Sequence, residues 1–417
     1  MERVVITGMG IVSPLGNNVG EFWQGLIAGK SGISTNDLFD VSNMKTKIAG
    51  IVRDFNPEEI FGRKDARHMD RFCQFALAAA DQAWLDSKLE IKQINLERLG
   101  VYVGSGIGGI NTLLDNVDIL REKGPGRVSP TLVPAMISNA ATAQISIKWG
   151  AMGPTMSPVS ACAIGNTAIG EAFRLIRYGE ADVIFAGGAE AAITDLAIAS
   201  FANAKALSSR NNEPIKASRP FDANRDGFVM AEGAGIIILE SLSHAKSRDA
   251  RIYAEVIGYG LSSDAYNMVA SHPEGNGAFL AMNKAMKDAG ISSEQVDVIS
   301  AHATSTLPGD LSETIALKRA FGMQAYKIPI TANKSMTGHM LGAAGGVEAI
   351  ALAKSLQEGI IPPTINQEKS DEQCDLDYVP NIARRKNMRI GLSNSFGFGG
   401  HNAVIVLKKY EYSAEKN

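Results

Sequence analysis

The chain has 417 residues, 45% apolar and 20% charged, with 44 acidic against 41 basic side chains. A net charge of −3 gives no electrostatic reason to expect nucleic acid or an anionic membrane as a partner, and no apolar run is long enough to enter and cross a bilayer. Three scattered cysteines, Cys73, Cys162 and Cys374, make neither a disulfide framework nor a metal cluster, which points to a reducing compartment, the cytoplasm.

The first element is a strand at Val4–Thr7, preceded by no signal-like apolar stretch. A helix over Phe72–Leu85 follows, with Phe72, Phe75, Ala76, Ala79, Ala80, Ala83 and Trp84 in helical period. Further strands are expected at Leu99–Gly104, Asp182–Ala186, Ile236–Glu240, Ala254–Gly258, Asp297–Ala301 and Ala403–Leu407. Most are continuous apolar runs, as in strands covered on both faces, and they alternate with alanine-rich helices. The fold class is therefore α/β with mixed or mostly parallel sheets. The charged segment Ser243–Arg251 divides the chain into halves, 1–250 and 251–417, and the polar end Tyr412–Asn417 is expected to fray.

After the second strand, Gly104-Ser105-Gly106-Ile107-Gly108-Gly109 fits the spacing of a dinucleotide-binding turn. The strand does not open a βαβ unit, however, and no acidic residue ends a second strand at the required distance, so an oxidoreductase reading is weak.

The segment Pro154–Gly165 runs from an extended stretch into a helix that ends near Gly179, with Cys162 at its first turn. Unpaired amides and the positive end of the helix dipole stabilise a thiolate there, so a lowered thiol pKa is expected. Cys73 and Cys374 read as ordinary small buried residues. Next, a strand passes through His302, Thr304 and Thr306 into a helix, for which Asp310 and Glu313 read as capping residues. A third segment carries Lys334 and His339 into a helix containing Glu348, a carboxylate that needs a partner if buried; Lys334 is the candidate. A fourth, Ser393–Asn402, sets Phe396 and Phe398 among glycines just before the last strand. The remaining histidines, His68, His244 and His272, show no metal-ligand spacing.

These segments, in this order, resemble the elongating β-ketoacyl-[acyl-carrier-protein] synthases of the thiolase-like superfamily, almost from end to end. The resemblance implies an αβαβα sandwich of two similar halves, a homodimer, and acyl and malonyl carrier-protein thioesters as partners. It implies Cys162 as the acylated nucleophile, with His302 and His339 donating to the malonyl thioester carbonyl. The same resemblance implies that the amides of Cys162 and Phe398 form an oxyanion hole, that Lys334 and Glu348 support the site, that Ile107 and Phe396 line the acyl pocket, and that Phe398 is its gate. On the same resemblance, Thr304 and Thr306 are expected to contact substrate. By the same resemblance the basic residues Arg63, Lys64, Arg67, Lys205 and Arg210 are candidates for a carrier-protein docking patch, with a solvated helix face as an equally weighted reading. No metal or redox cofactor is required.

Ala303 and Ala231 stand where glycine is usual in that family, and Asn267 where many longer-chain members have histidine. Chain-length preference and use of unsaturated substrates stay open on these grounds. Two other readings fit the sequence less well. A silent synthase-like subunit would lack the nucleophile, and a thiolase would carry a second cysteine where Gly399-Gly400-His401-Asn402 stands.

Overall fold

The computed structural model describes residues 1–412; the expected fraying of residues 413–417 lies outside them. Tyr412 itself is tied down, its hydroxyl accepting the Ile252 N–H at 2.8 Å.

Ten strands form one mixed sheet: β1 (Val4–Val12), β2 (Leu99–Gly104), β3 (Thr155–Met156), β4 (Val183–Glu190), β5 (Gly233–Ser241), β6 (Ala254–Ser263), β7 (Val298–Ser300), β8 (Ile330–Thr331), β9 (Ile390–Gly397) and β10 (His401–Lys409). Strand β1 runs well past Thr7 because glycines make room for the helix that covers it. A Cβ on Gly8 would stand 2.1 Å from the Ala83 carbonyl oxygen, and one on Gly10 would stand 1.9 Å from that of Ala79. That helix is α1 (Arg71–Ser87), capped by the Asp70 side chain. Strand β9, read from sequence as a glycine-rich loop, is a buried strand whose Ser393, Asn394 and Ser395 have no exposed surface. Polar residues in its middle break the apolar run by which such strands are detected.

The strand order is β8-β7-β9-β10-β6-β1-β5-β4-β2-β3. Outward from the central antiparallel pair β1/β6, each side adds two antiparallel strands and then two parallel ones. On each side the strands, counted in chain order, stand first, fifth, fourth, second, third. The two half-sheets share one topology.

Helices α2 (Ile164–Arg177) and α3 (Ala344–Glu358) pack between the half-sheets, touching strands of both. They cross at glycines: a Cβ on Gly165 would lie 2.3 Å from the Gly346 nitrogen. Helix α1 covers β1 and β5 outside, and Asn276–Ala289 covers β6 and β10. The result is five layers, αβαβα. The short turns leading into α2 and α3, Ala161–Ala163 and Leu341–Ala343, touch each other, which brings two distant parts of the chain to one point.

Candidate active site

Cys162 sits in the turn just before α2, preceded by Ala161 at φ +50°, a left-handed conformation that a non-glycine residue adopts only at a cost. The thiol is 8% exposed and lines a cavity of about 460 Å³. The backbone amides of Phe398 and of Cys162 itself lie against the sulfur. Glycine at 397 is needed for this approach, since a Cβ there would stand 2.6 Å from the Ser160 carbonyl oxygen and 3.0 Å from the Cys162 nitrogen.

The lowered thiol pKa expected from sequence is corrected. Burial pushes Cys162 up to about 12, with the Glu190 carboxylate adding to it, against the opposing pull of Lys334 and the two amides. Desolvation of a lone thiolate outweighs amide dipoles in an enclosed pocket, so the resting group is a neutral thiol.

The rings of His302 and His339 are 5.4 Å apart between centroids and nearly perpendicular, at 86°. Both line the Cys162 cavity. Burial, and then the positive charge of Lys334, holds both imidazoles well below their ordinary range, so both are neutral at pH 7. Nδ1 of each ring is buried without a hydrogen-bond partner among the described residues. A bare nitrogen is cheaper to bury unpaired than an N–H, and the favoured tautomer therefore carries its proton on Nε2. Lys334 reaches the Glu348 carboxylate at 2.5 Å, with both side chains almost fully buried. Burial raises the Glu348 carboxyl even with that ammonium against it.

Asp310 and Glu313 are not caps. The helix Leu307–Phe321 begins earlier, with Thr306 at its N-cap position and Pro308 in its first turn. Glu313 points back at the loop before it, accepting the N–H groups of His302 at 2.9 Å and Ala303 at 2.7 Å, and the Asn394 side-chain amide at 3.0 Å. Asp310 accepts Ser305 N–H at 3.1 Å and Phe221 N–H at 2.8 Å. Arg225 donates to the carbonyls of Thr306 at 3.3 Å and Leu307 at 3.1 Å. These three charged side chains hold the histidine loop, and sequence reasoning missed that role. The available signal was two acidic residues three apart on one helical face, directed at a strand end.

Ala303 adopts φ +30°, which explains why glycine suits this position. The left-handed penalty of about 1–2 kcal/mol offsets what a buried methyl contributes. Ala303→Gly is therefore expected to cost about 1–2 kcal/mol less in denaturant unfolding than Ala301→Gly, a buried neighbour of ordinary φ. Equal losses would show that the site bears no such strain.

Thr304 and Thr306 have hydroxyls 3.1 Å apart on the cavity wall, which Ile107, Phe396 and Phe398 complete. The Phe398 ring is partly exposed, with its centroid 6.0 Å from that of Phe201. Arg63, Lys64 and Arg67 are exposed on a short helix, and Lys205 is exposed at the cavity rim. Arg210 does not fit the expected free patch. It is half-buried, with its guanidinium engaged by Glu213 at 3.6 Å and the Asn224 carbonyl at 3.2 Å.

A buried thiol, two neutral imidazoles and two amides converging on one cavity suit acyl transfer followed by carbon–carbon bond formation. Comparison with known proteins agrees. The family of the Beta-ketoacyl synthase N-terminal domain matches residues 1–245, and that of its C-terminal domain matches residues 253–368. The chain belongs to the β-ketoacyl synthases, condensing acyltransferases of the thiolase fold. It is 49% identical to the 3-oxoacyl-[acyl-carrier-protein] synthase 2 of Synechocystis sp. (strain ATCC 27184 / PCC 6803 / Kazusa), over 98% of this chain and 99% of that protein. It is 50% identical to the same-named enzyme of Coxiella burnetii (strain RSA 493 / Nine Mile phase I), again over 98% and 99%. Among solved structures, a type II PKS acyl-carrier protein in complex with its ketosynthase bound to the hexaketide provides a chain 37% identical to this one. It covers 98% of this chain and all of that one, with a TM-score of 0.90. A Beta-ketoacyl synthase from Burkholderia phymatum STM815 is 34% identical over 99% of this chain and all of that one, with a TM-score of 0.91.

Proposed function

We propose that this enzyme extends acyl chains carried by acyl carrier protein, using malonyl-[acyl-carrier-protein] as a two-carbon donor in fatty-acid elongation. The reading rests on one observation: Cys162, His302 and His339 share a single cavity, with the amides of Cys162 and Phe398 against the sulfur. In the first half-reaction the Cys162 sulfur attacks the acyl thioester carbonyl while the two amides hold the oxyanion. The carrier thiol leaves with the proton that Cys162 gives up. In the second, the malonyl carboxylate departs as carbon dioxide and its electron pair becomes an enolate. Nε2–H groups of His302 and His339 donate to that enolate oxygen. The carbanion then attacks the Cys162 thioester, and the released thiolate takes a proton from water.

Neutral imidazoles suit this work, because they donate hydrogen bonds without protonating the carbanion they stabilise. Burial keeps them neutral, the Lys334 charge adds to this, and Glu348 balances that charge. Thr304 and Thr306 bind the carrier's prosthetic arm, Ile107 and Phe396 line the acyl site, and Phe398 gates it. A catalytically silent subunit is not favoured, since the nucleophile and both histidines are present and assembled. Incubation with an acyl-carrier-protein thioester is expected to add the acyl mass to Cys162, and malonyl-carrier protein is then expected to discharge it as a β-ketoacyl product. Failure of the mass to appear on Cys162 would refute the reading.

Carrier docking is assigned to Arg63, Lys64, Arg67 and Lys205, whose charges complement an acidic partner. Halves 1–250 and 251–417 form the two thiolase-like units, a division supported by the matched strand orders on either side of the sheet. Cytoplasmic location accords with free cysteines and with the lack, among the described residues, of a helix long and apolar enough to cross a membrane.

The active unit is a homodimer, with β3 as the joining edge. Edge strands invite pairing, and around this one Met152, Met156 and Val159 are all more than half exposed. Light scattering is expected to give twice the chain mass, and Met156→Asp is expected to shift the population to monomer. A monomeric wild-type enzyme would exclude this assembly.

A further inference from the structure

The glycine-rich turn Gly104–Gly109, which mimics a phosphate loop, already encloses an anion belonging to the protein. Glu190, at the end of β4 and without exposed surface, accepts four hydrogen bonds. Its Oε1 takes the Ser105 hydroxyl at 2.7 Å and the Ile107 N–H at 3.1 Å. Its Oε2 takes the Gly106 N–H at 2.9 Å and the Gly342 N–H at 3.1 Å. The Ser105 oxygen accepts the Gly108 N–H at 2.9 Å, which leaves its own proton free to point at the carboxylate. Every one of these neighbours donates and none accepts, an arrangement that favours the ionised form even though burial opposes it. The glycines are needed for the approach: a Cβ on Gly106 or on Gly342 would stand 2.9 Å from Glu190 Oε2.

This one carboxylate joins two segments with different tasks. Ile107 belongs to the acyl wall of the cavity. Gly342 follows His339 by three residues, just after Leu341, which is held at φ +47°. We propose that Glu190 is a positioning residue: it fixes the Ile107 wall and the turn after His339 in one register, and so restricts which acyl lengths reach Cys162. The proposal rests on the function assigned above.

Glu190→Gln preserves the shape and replaces one acceptor oxygen by an NH₂ group. Of the four partners, only the Ser105 hydroxyl can reverse its role, so the amide turns its NH₂ toward Ser105 and leaves the Ile107 N–H unpaired. The variant therefore releases the acyl wall and retains the Gly106 and Gly342 contacts. Acylation of Cys162 by hexanoyl- and tetradecanoyl-carrier protein is to be timed by mass spectrometry for wild type, E190Q and Ser105→Ala. The long-to-short rate ratio is expected to change ~10-fold in E190Q, the scale of a few methylenes in a pocket, and in the same direction but less in Ser105→Ala. Iodoacetamide alkylation of Cys162 at pH 7, which needs no carrier protein, is expected to accelerate several-fold in E190Q because the released Ile107 wall borders the same cavity as the sulfur and widens the approach to it, and because a negative charge lining that cavity is lost. With wild type acylating normally, an unchanged ratio in E190Q overturns the proposal, as does an unchanged ratio in Ser105→Ala if E190Q does not fold. If wild type takes no acyl group at all, the functional assignment fails instead, and unchanged alkylation of E190Q then overturns the role of Glu190 independently.

Discussion

Cys162→Ala is expected to take up no acyl mass from a carrier-protein thioester and to lose condensing activity by at least ~10³-fold, the scale seen when a covalent nucleophile is removed. The substitution deletes only sulfur from a side chain bordering the cavity, so folding should be nearly unaffected and the thermal midpoint should stay within a few degrees of wild type. Because the thiol is held neutral, with burial pushing it up to about 12, its reactivity depends on the two amides that receive charge during attack. Cys73 and Cys374 are buried elsewhere and do not border the cavity. Acyl mass recovered on either, or undiminished on the alanine variant, would remove the mechanism.

His302→Ala and His339→Ala should separate the two half-reactions. Each removes one donor to the enolate oxygen, and a lost oxyanion donor typically costs ~10²–10³ in rate. Acylation of Cys162 should continue in both variants while β-ketoacyl formation falls by that factor. The pH profile supplies an independent check. Burial and Lys334 depress both imidazoles below their ordinary range, so lowering the pH through ~6.5, where an exposed histidine gains its proton, should leave condensation nearly unchanged. Activity falls only when one ring protonates at lower pH. Removing the Lys334 charge should move that fall upward, since an opposing cation is then missing. A wild-type titration centred on the ordinary histidine value, or unimpaired condensation by both alanine variants, would contradict the assigned roles.

Much of the layout was legible beforehand because its signals are local. The apolar runs of β1, β2, β4 and β5 mark strands buried on both faces, and the period of Phe72, Phe75, Ala76 and Ala79 marks the helix that covers β1 and β5. Strand β9 escaped detection because its interior is occupied by Ser393, Asn394 and Ser395, polar residues which only the surrounding layers show to be buried. Asp310 and Glu313 were misread for a related reason. A helix start offers a nearby use for acidic side chains, whereas their actual partners, including Phe221 and Asn394, lie far away in sequence.

From the linear chain alone follow the α/β class, the cysteine that begins a helix and the two histidines at strand-to-helix transitions, since each is written in neighbouring residues. Tertiary structure alone settles the protonation of the site. The same helix-start amides that promise a reactive thiolate in isolation are overcome by desolvation once two half-sheets close around Cys162, and the imidazoles are neutral first because they are themselves buried and then because the Lys334 charge stands near them. Charge in a cavity depends on everything that encloses it, and the enclosing residues come from both ends of the chain.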